Sequence, residues 1–319
     1  MIGEEGGFMV YEIQNCPAKA LCFDENRQRI YMDSSGVKAL RFPEMDDVQE
    51  ISAIQNASLY ISDNGERLGI FNTENRLEIY DIQSGNAKLA FQKEWKNAVA
   101  TCRFCCTDGR RLFVPIQNTL HCFDLQSPDN NRVIYGNEEP SKEHWHDTGH
   151  ITSLSYYNDE IALMHYMFKR NYLVRISTKD DSILDKLEVP SDLGTSFSYV
   201  NYDQKGGLCL SGLMGAPVLH YRTFPKDISD PDTAIRLSNK ALAYLGLNFS
   251  ADGEYLTFQA LVGGANFSEA WLVRTDDWSV VQTVADRRIK YAPCFSSKGR
   301  YWMIPDEESL LIDLEHGFA

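Results

Sequence analysis

Basic residues are in deficit: 31 Lys and Arg stand against 45 Asp and Glu, a formal net charge of −14. Phosphate recognition needs a basic face, so nucleic acid and anionic membrane are not expected as partners. No run of 18 apolar residues occurs, so no membrane-spanning helix is expected. The first residues, MIGEEGGFMVYEI, carry acids where a secretory signal carries Lys or Arg ahead of an apolar run. Secretion is therefore not indicated. Catalytic signatures are missing too: there is no G-x-S-x-G elbow, no H-E-x-x-H pair and no phosphate loop, since no Gly-Lys-Ser/Thr follows Gly263-Gly264. The acidic pairs Asp46-Asp47, Asp180-Asp181, Asp276-Asp277 and Glu307-Glu308 read as solvated turn residues rather than glycosidase carboxylates or calcium ligands.

Cysteine is not scarce, but its placement argues against disulfides. Most of Cys16, Cys22, Cys102, Cys105, Cys106, Cys122, Cys209 and Cys294 sit among apolar neighbours in a chain far larger than disulfide-stapled scaffolds. Reduced packing residues and a cytoplasmic location are expected. The Asn-x-Ser matches at Asn56, Asn248 and Asn266 then carry no glycosylation. Cys102-x-x-Cys105 lies on a strand with no helical pattern after it, unlike a redox-active pair at a helix N-terminus.

Leu245 to Trp278 reads as a strand ending in Phe249, a turn on Asp252-Gly253, a second strand Tyr255 to Leu261, a Gly-rich loop, and a third strand Ala270 to Arg274. Alternation sets Tyr255, Thr257 and Gln259 on one face and Leu256, Phe258 and Ala260 on the other. Asp-Gly supplies the positive φ that the hairpin turn needs. The same frame recurs at Ala20 to Phe42, Leu59 to Gly85, Thr101 to Ser127, Ile151 to Thr178, Ser198 to Thr223 and Tyr291 to Glu315. Turn glycines Gly65 and Gly109 are 44 residues apart, Gly206 and Gly253 47, and Gly253 and Gly299 46. That period belongs to four-stranded propeller blades. Short β-like runs such as Lys88 to Phe91, Arg132 to Tyr135, Leu184 to Val189 and Val280 to Val284 supply the fourth strands. The last unit has no room for one, and the orphan run Phe8 to Ile13 is expected to complete it. The fold class is all-β: one domain over 1–319, a seven-bladed β-propeller of four-stranded antiparallel blades, its ring closed by the N-terminal strand.

Three segments carry a family likeness. Tyr80-Asp81-Ile82, Phe123-Asp124-Leu125 and Ile312-Asp313-Leu314 resemble the Trp-Asp-apolar ending of WD repeats. The turns at Asp108-Gly109 and Asp252-Gly253 resemble the turn between their first two inner strands, and Gly149-His150 matches their Gly-His dipeptide. No repeat holds a Trp-Asp pair in place, so the chain resembles a degenerate WD-like propeller. The resemblance implies a binding module or scaffold.

Two stretches carry candidate chemistry. Lys142 to His150, KEHWHDTGH, joins the third blade to the fourth and holds three of the seven histidines. His144, His146 and His150 are the candidate ligands for zinc or another transition metal; a solvated or interface loop is the plainer reading. The other stretch is a set of loops. In a propeller, the loops joining strands two and three share a face with those joining successive blades. In blades one to three they are polar: Asp33 to Gly36, Asn72 to Arg76 and Gln117 to Thr119. In blades four to six they are apolar, offering Tyr166, Met167 and Phe168, then Leu213 and Met214, then Leu261 and Phe267. Trp145 reaches the same face. Apolar loops rich in aromatic and Met residues have the composition of a protein- or peptide-binding hot spot that needs no cofactor. The alternative is a hydrolase- or lactonase-type enzyme with His146, His150, His165, Tyr166 and Arg170 at the channel mouth.

Overall fold

β-branched and aromatic residues in short alternating runs, punctuated by Gly, Asp and Asn, can bury themselves only by stacking sheet on sheet. A computed structural model describes residues 2–5, 8–13, 17–83, 86–96, 98, 105–136, 149–167, 170–190, 197–212, 217–236, 241–262, 268–285, 289 and 291–315. Every regular element in it is a strand, and the strands form seven antiparallel sheets. The protein is a seven-bladed β-propeller.

Blade one comprises β3 (Ala20–Asp24), β4 (Arg29–Asp33), β5 (Val37–Arg41) and β6 (Asp46–Ser52). Blade two has β7 (Ala57–Ile61), β8 (Arg67–Asn72), β9 (Arg76–Asp81) and β10 (Lys88–Glu94). Blade three has β11 (Cys106–Thr107), β12 (Arg111–Ile116), β13 (Thr119–Asp124) and β14 (Asn131–Tyr135). Blade four has β15 (His150–Tyr157), β16 (Glu160–Met167), β17 (Arg170–Ser177) and β18 (Ile183–Val189). Blade five has β19 (Phe197–Tyr202), β20 (Leu208–Gly212), β21 (Val218–Tyr221) and β22 (Thr233–Ile235). Blade six has β23 (Ala241–Phe249), β24 (Tyr255–Val262), β25 (Ser268–Arg274) and β26 (Val280–Val284).

The seventh sheet takes β27 (Cys294–Phe295), β28 (Tyr301–Ile304) and β29 (Ser309–Asp313) from one end of the chain and β2 (Phe8–Ile13) from the other. β2 runs antiparallel to β29 from Met9 opposite Asp313 to Ile13 opposite Ser309. Outside it lies β1 (Ile2–Glu5), a fifth strand that the repeat did not foretell. The outer strands of blades one and five, for which the sequence shows no clean alternation, form as seven residues in β6 and three in β22.

Contacts divide the chain into two compact units, Met1–Leu59 with Ile235–Ala319, and Tyr60–Ala234. In the first, Ile13, Tyr301, Met303 and Leu311 of blade seven pack on Leu21, Phe23, Ile30 and Met32 of blade one. Phe42 stands 5.0 Å from the Tyr11 ring and 5.3 Å from Tyr301. In the second, Ala162, Met164 and Leu173 of blade four meet Val200, Tyr202, Leu208 and Leu210 of blade five. Each fully buried aliphatic or aromatic side chain of this kind contributes roughly 1.5–3 kcal/mol. Blades four and five are also laced along their first strands. Val200 N donates to Ser153 Oγ (3.0 Å) and Tyr202 N to Ser155 Oγ (3.0 Å). The six described cysteines are free thiols, and Cys105, Cys122 and Cys209 are buried.

The Asp-apolar segments have a shared structural use. Asp81, Asp124 and Asp313 each meet an arginine at the start of the second strand: Arg67 at 3.3 Å, Arg110 at 3.2 Å and Arg300 at 2.6 Å. The apolar residue that follows donates its N–H across the same hairpin, from Ile82 to Glu66 O, Leu125 to Arg110 O and Leu314 to Arg300 O, each 2.9 Å. The pair thus ends the third strand and fixes its partner. Blades one, four, five and six have Arg41, Ser177, Arg222 and Arg274 in the acidic position instead, and in blade five an Asp203–His220 contact of 2.9 Å ties the first turn to the third strand.

Candidate functional site

The loops between second and third strands have two distinct uses. In blades one, two, three and seven the polar turn bonds the incoming chain of the next blade. Ala57 N donates to Asp33 Oδ2 (2.8 Å), Asn75 Nδ2 to Ala98 O (3.1 Å), Ile151 N to Gln117 O (2.6 Å) and Ala18 N to Asp306 O (2.8 Å). Asp33 is fully buried and Asn72 and Gln117 nearly so. Polarity there is structural, because these side chains and carbonyls satisfy backbone groups that would otherwise be buried without partners. Blade six makes the same stitch one layer lower: Gln259 Nε2 donates to Ile289 O (2.7 Å), and Ser268 Oγ joins it.

Blade four is different. Its loop end is formed by the close of β16 and the start of β15, and Gly149 lets the backbone approach there. With φ of 76°, its place for a Cβ lies 2.1 Å from Tyr166 O. Only glycine fits, which is the physical reason for the Gly149-His150 dipeptide. His150 then stands opposite Tyr166 in register, their rings 5.3 Å apart. Tyr166 is 37% exposed. Met167 and His150 are half-buried, and burial lowers the His150 pKa below its usual value. His165 alternates to the other face and is buried, its Nδ1 2.8 Å from Tyr135 Oη. Burial pushes the Tyr135 hydroxyl up to about 12. Arg170 is exposed and engages Glu188 at 2.9 Å.

Of the residues singled out for enzymatic chemistry, His150, His165, Tyr166 and Arg170 therefore share the end of one blade. His165 is committed to Tyr135, and Arg170 to a carboxylate. His144, Trp145, His146, Phe168, Leu213, Met214 and Phe267 lie outside the described residues. Among the described residues, no three His, Cys, Asp or Glu side chains are grouped as a metal site.

Leu261 lies at the corresponding end of blade six and is half-exposed, as is Val262. Beside them is a residue the sequence did not point to. Leu242, in the first strand, is 49% exposed and sits between Ala241, opposite Val262, and Ala243, opposite Leu261. No alternation marks it, because β23 is interrupted by two register shifts.

No family model matches the chain, and no curated protein does. Among solved structures, the fold is similar to the β-propeller domain of Cps50 (Swd1) from Myceliophteria thermophila, with a TM-score of 0.66 and 13% sequence identity. The match covers 95% of this chain and 98% of that one. At that identity the likeness speaks to the β-propeller fold alone.

Proposed function

We propose that the protein is a non-enzymatic binding module for a protein or peptide, acting in the cytoplasm through the loop ends of blades four to six. One observation carries this reading. Eight large apolar side chains are exposed among the described residues, and six of them lie on or beside outer strands. The other two, Tyr166 and Leu242, lie at the loop ends of blades four and six, which the composition of their loops had singled out. A Tyr beside a Met offers a rigid amphipathic surface and an adaptable one, the pairing found at interface centres. The propeller neighbour is consistent with a module of this kind.

The test is affinity capture with crosslinking, comparing the wild type with Tyr166→Asp, Met167→Asp and the control Val48→Asp on β6. The expected result is a partner retained at high salt by the wild type and the control and lost by both loop-end variants, since an apolar contact is little screened. A partner profile identical across all four proteins would remove the proposal.

A further inference from the structure

Blades four and six build the turn from third to fourth strand in the same way. Thr178 N donates to Asp159 O (2.8 Å) in blade four, as Thr275 N does to Glu254 O (2.9 Å) in blade six. Ser177 N bonds Ser182 O and Arg274 N bonds Ser279 O, both at 2.9 Å. The acid within each turn then accepts from the serine, Asp180 Oδ1 from Ser182 N (3.3 Å) and Asp277 Oδ1 from Ser279 N (2.8 Å). Each turn also places one residue in the left-handed region: Asp181 with φ of 59°, and Trp278 with φ of 60°. Aspartate tolerates that conformation, whereas a bulky side chain adopts it only at a cost. Trp278 is the one aromatic residue with a positive φ among the described residues. The turn itself has no need of an indole, since blade four closes it with an acid.

The surroundings of Trp278 give the indole a use. It is half-buried, and Val280, two residues on, is 43% exposed. Asp276 and Asp277 directly precede it and are exposed. The first turn of the same blade lies alongside, with Thr275 Oγ1 donating to Gly253 O (2.6 Å), and brings the exposed Asp252 and Glu254. Against these four carboxylates the two turns hold one base, the half-buried Arg274. An indole beside carboxylates in surplus attracts a cation, and a guanidinium can lie flat on the ring while its N–H groups meet the acids. Tryptophan is moreover among the residues most enriched at interface hot spots. We infer that Trp278, with Asp276 and Asp277, docks a basic peptide segment of a partner through an arginine side chain. This site stands at the turn end of blade six and is independent of the loop ends proposed above.

Isothermal titration calorimetry of the full chain tests this, with acetyl-Arg-Gly-Arg amide as the probe. Asparagine suits the left-handed position, so Trp278→Asn should unfold at or above the wild-type temperature while raising the Kd of the probe at least about fivefold. Asp276→Asn with Asp277→Asn keeps the oxygens that accept the Asp277 and Ser279 N–H groups, and it should weaken binding as much. Asp180→Asn with Asp181→Asn removes the same charge from the matching turn that lacks the indole, and it should change the Kd less than about twofold. A wild type that does not bind the probe, a Trp278→Asn chain that binds like the wild type, or equal weakening by the two aspartate pairs would each overturn the assignment.

Discussion

Replacing His121 should change how stability depends on pH. His121 lies on β13 of blade three, 7% exposed, with its ring 5.2 Å from Trp95 and its Nε2 3.2 Å from Thr119 Oγ1. Thr119 donates its own proton to Ile116 O (2.8 Å), so its oxygen accepts from Nε2–H and His121 is held neutral as that tautomer. Burial, and secondarily the Lys93 ammonium, lower its pKa from the ordinary 6.5 to about 4. The folded pKa is depressed, so between pH 6.5 and 4 the unfolded chain binds the extra proton and stability falls as pH falls. From pH 7.5 to pH 5 this group alone should cost about 2 kcal/mol. His121→Gln keeps a donor for Thr119 without a titrating group, and it should remove that slope. Urea unfolding of both proteins at pH 7.5 and 5 reads the difference. Equal losses in the two would refute the burial argument.

Two further predictions concern packing. Thr257, fully buried in blade six, accepts from Trp302 Nε1 (2.7 Å) and donates to Trp271 O (2.8 Å), joining blade six to blade seven. Thr257→Val keeps the shape but strands the indole N–H, and should lower stability in urea melts by about 1–3 kcal/mol. Gly149→Ala adds a Cβ against Tyr166 O at a positive φ. Thermal unfolding should show a loss of at least about 1 kcal/mol, and amide signals of His150 and Tyr166 should shift together.

Much of this fold was legible because its repeat is spaced by glycines whose φ has to be positive. Gly65, Gly109, Gly206, Gly253 and Gly299 all adopt such values at the first hairpin turns. The closing strand was legible by elimination, since FMVYEI had no other partner. What alternation misjudged was the meaning of polar residues within strands. Thr257 and Gln259 follow the spacing of a solvent-facing side, yet both are buried, because Trp302 of blade seven and Ile289 on the chain leading to it cover that face. The polar turns of blades one to three look solvated for a similar reason and are instead hydrogen-bonded to the next blade. Of the candidate site, Tyr166 and Met167 could be found from loop composition. Leu242 could not, because periodicity fails along β23, where Gly246 takes a φ of 62°.

Several stitches tie the first residues of one blade to the turn of the blade before it. The amide of Ala57 begins blade two, yet its acceptor is the Asp33 carboxylate of blade one; Ile151 likewise depends on Gln117, and Ala18 on Asp306. Protection of such an amide against hydrogen exchange is set by whichever of two neighbouring repeats opens first. Local opening of one blade should therefore register on the first residues of its successor before the rest of that successor loosens. At these junctions, cooperativity is then carried from one repeat to the one that follows it.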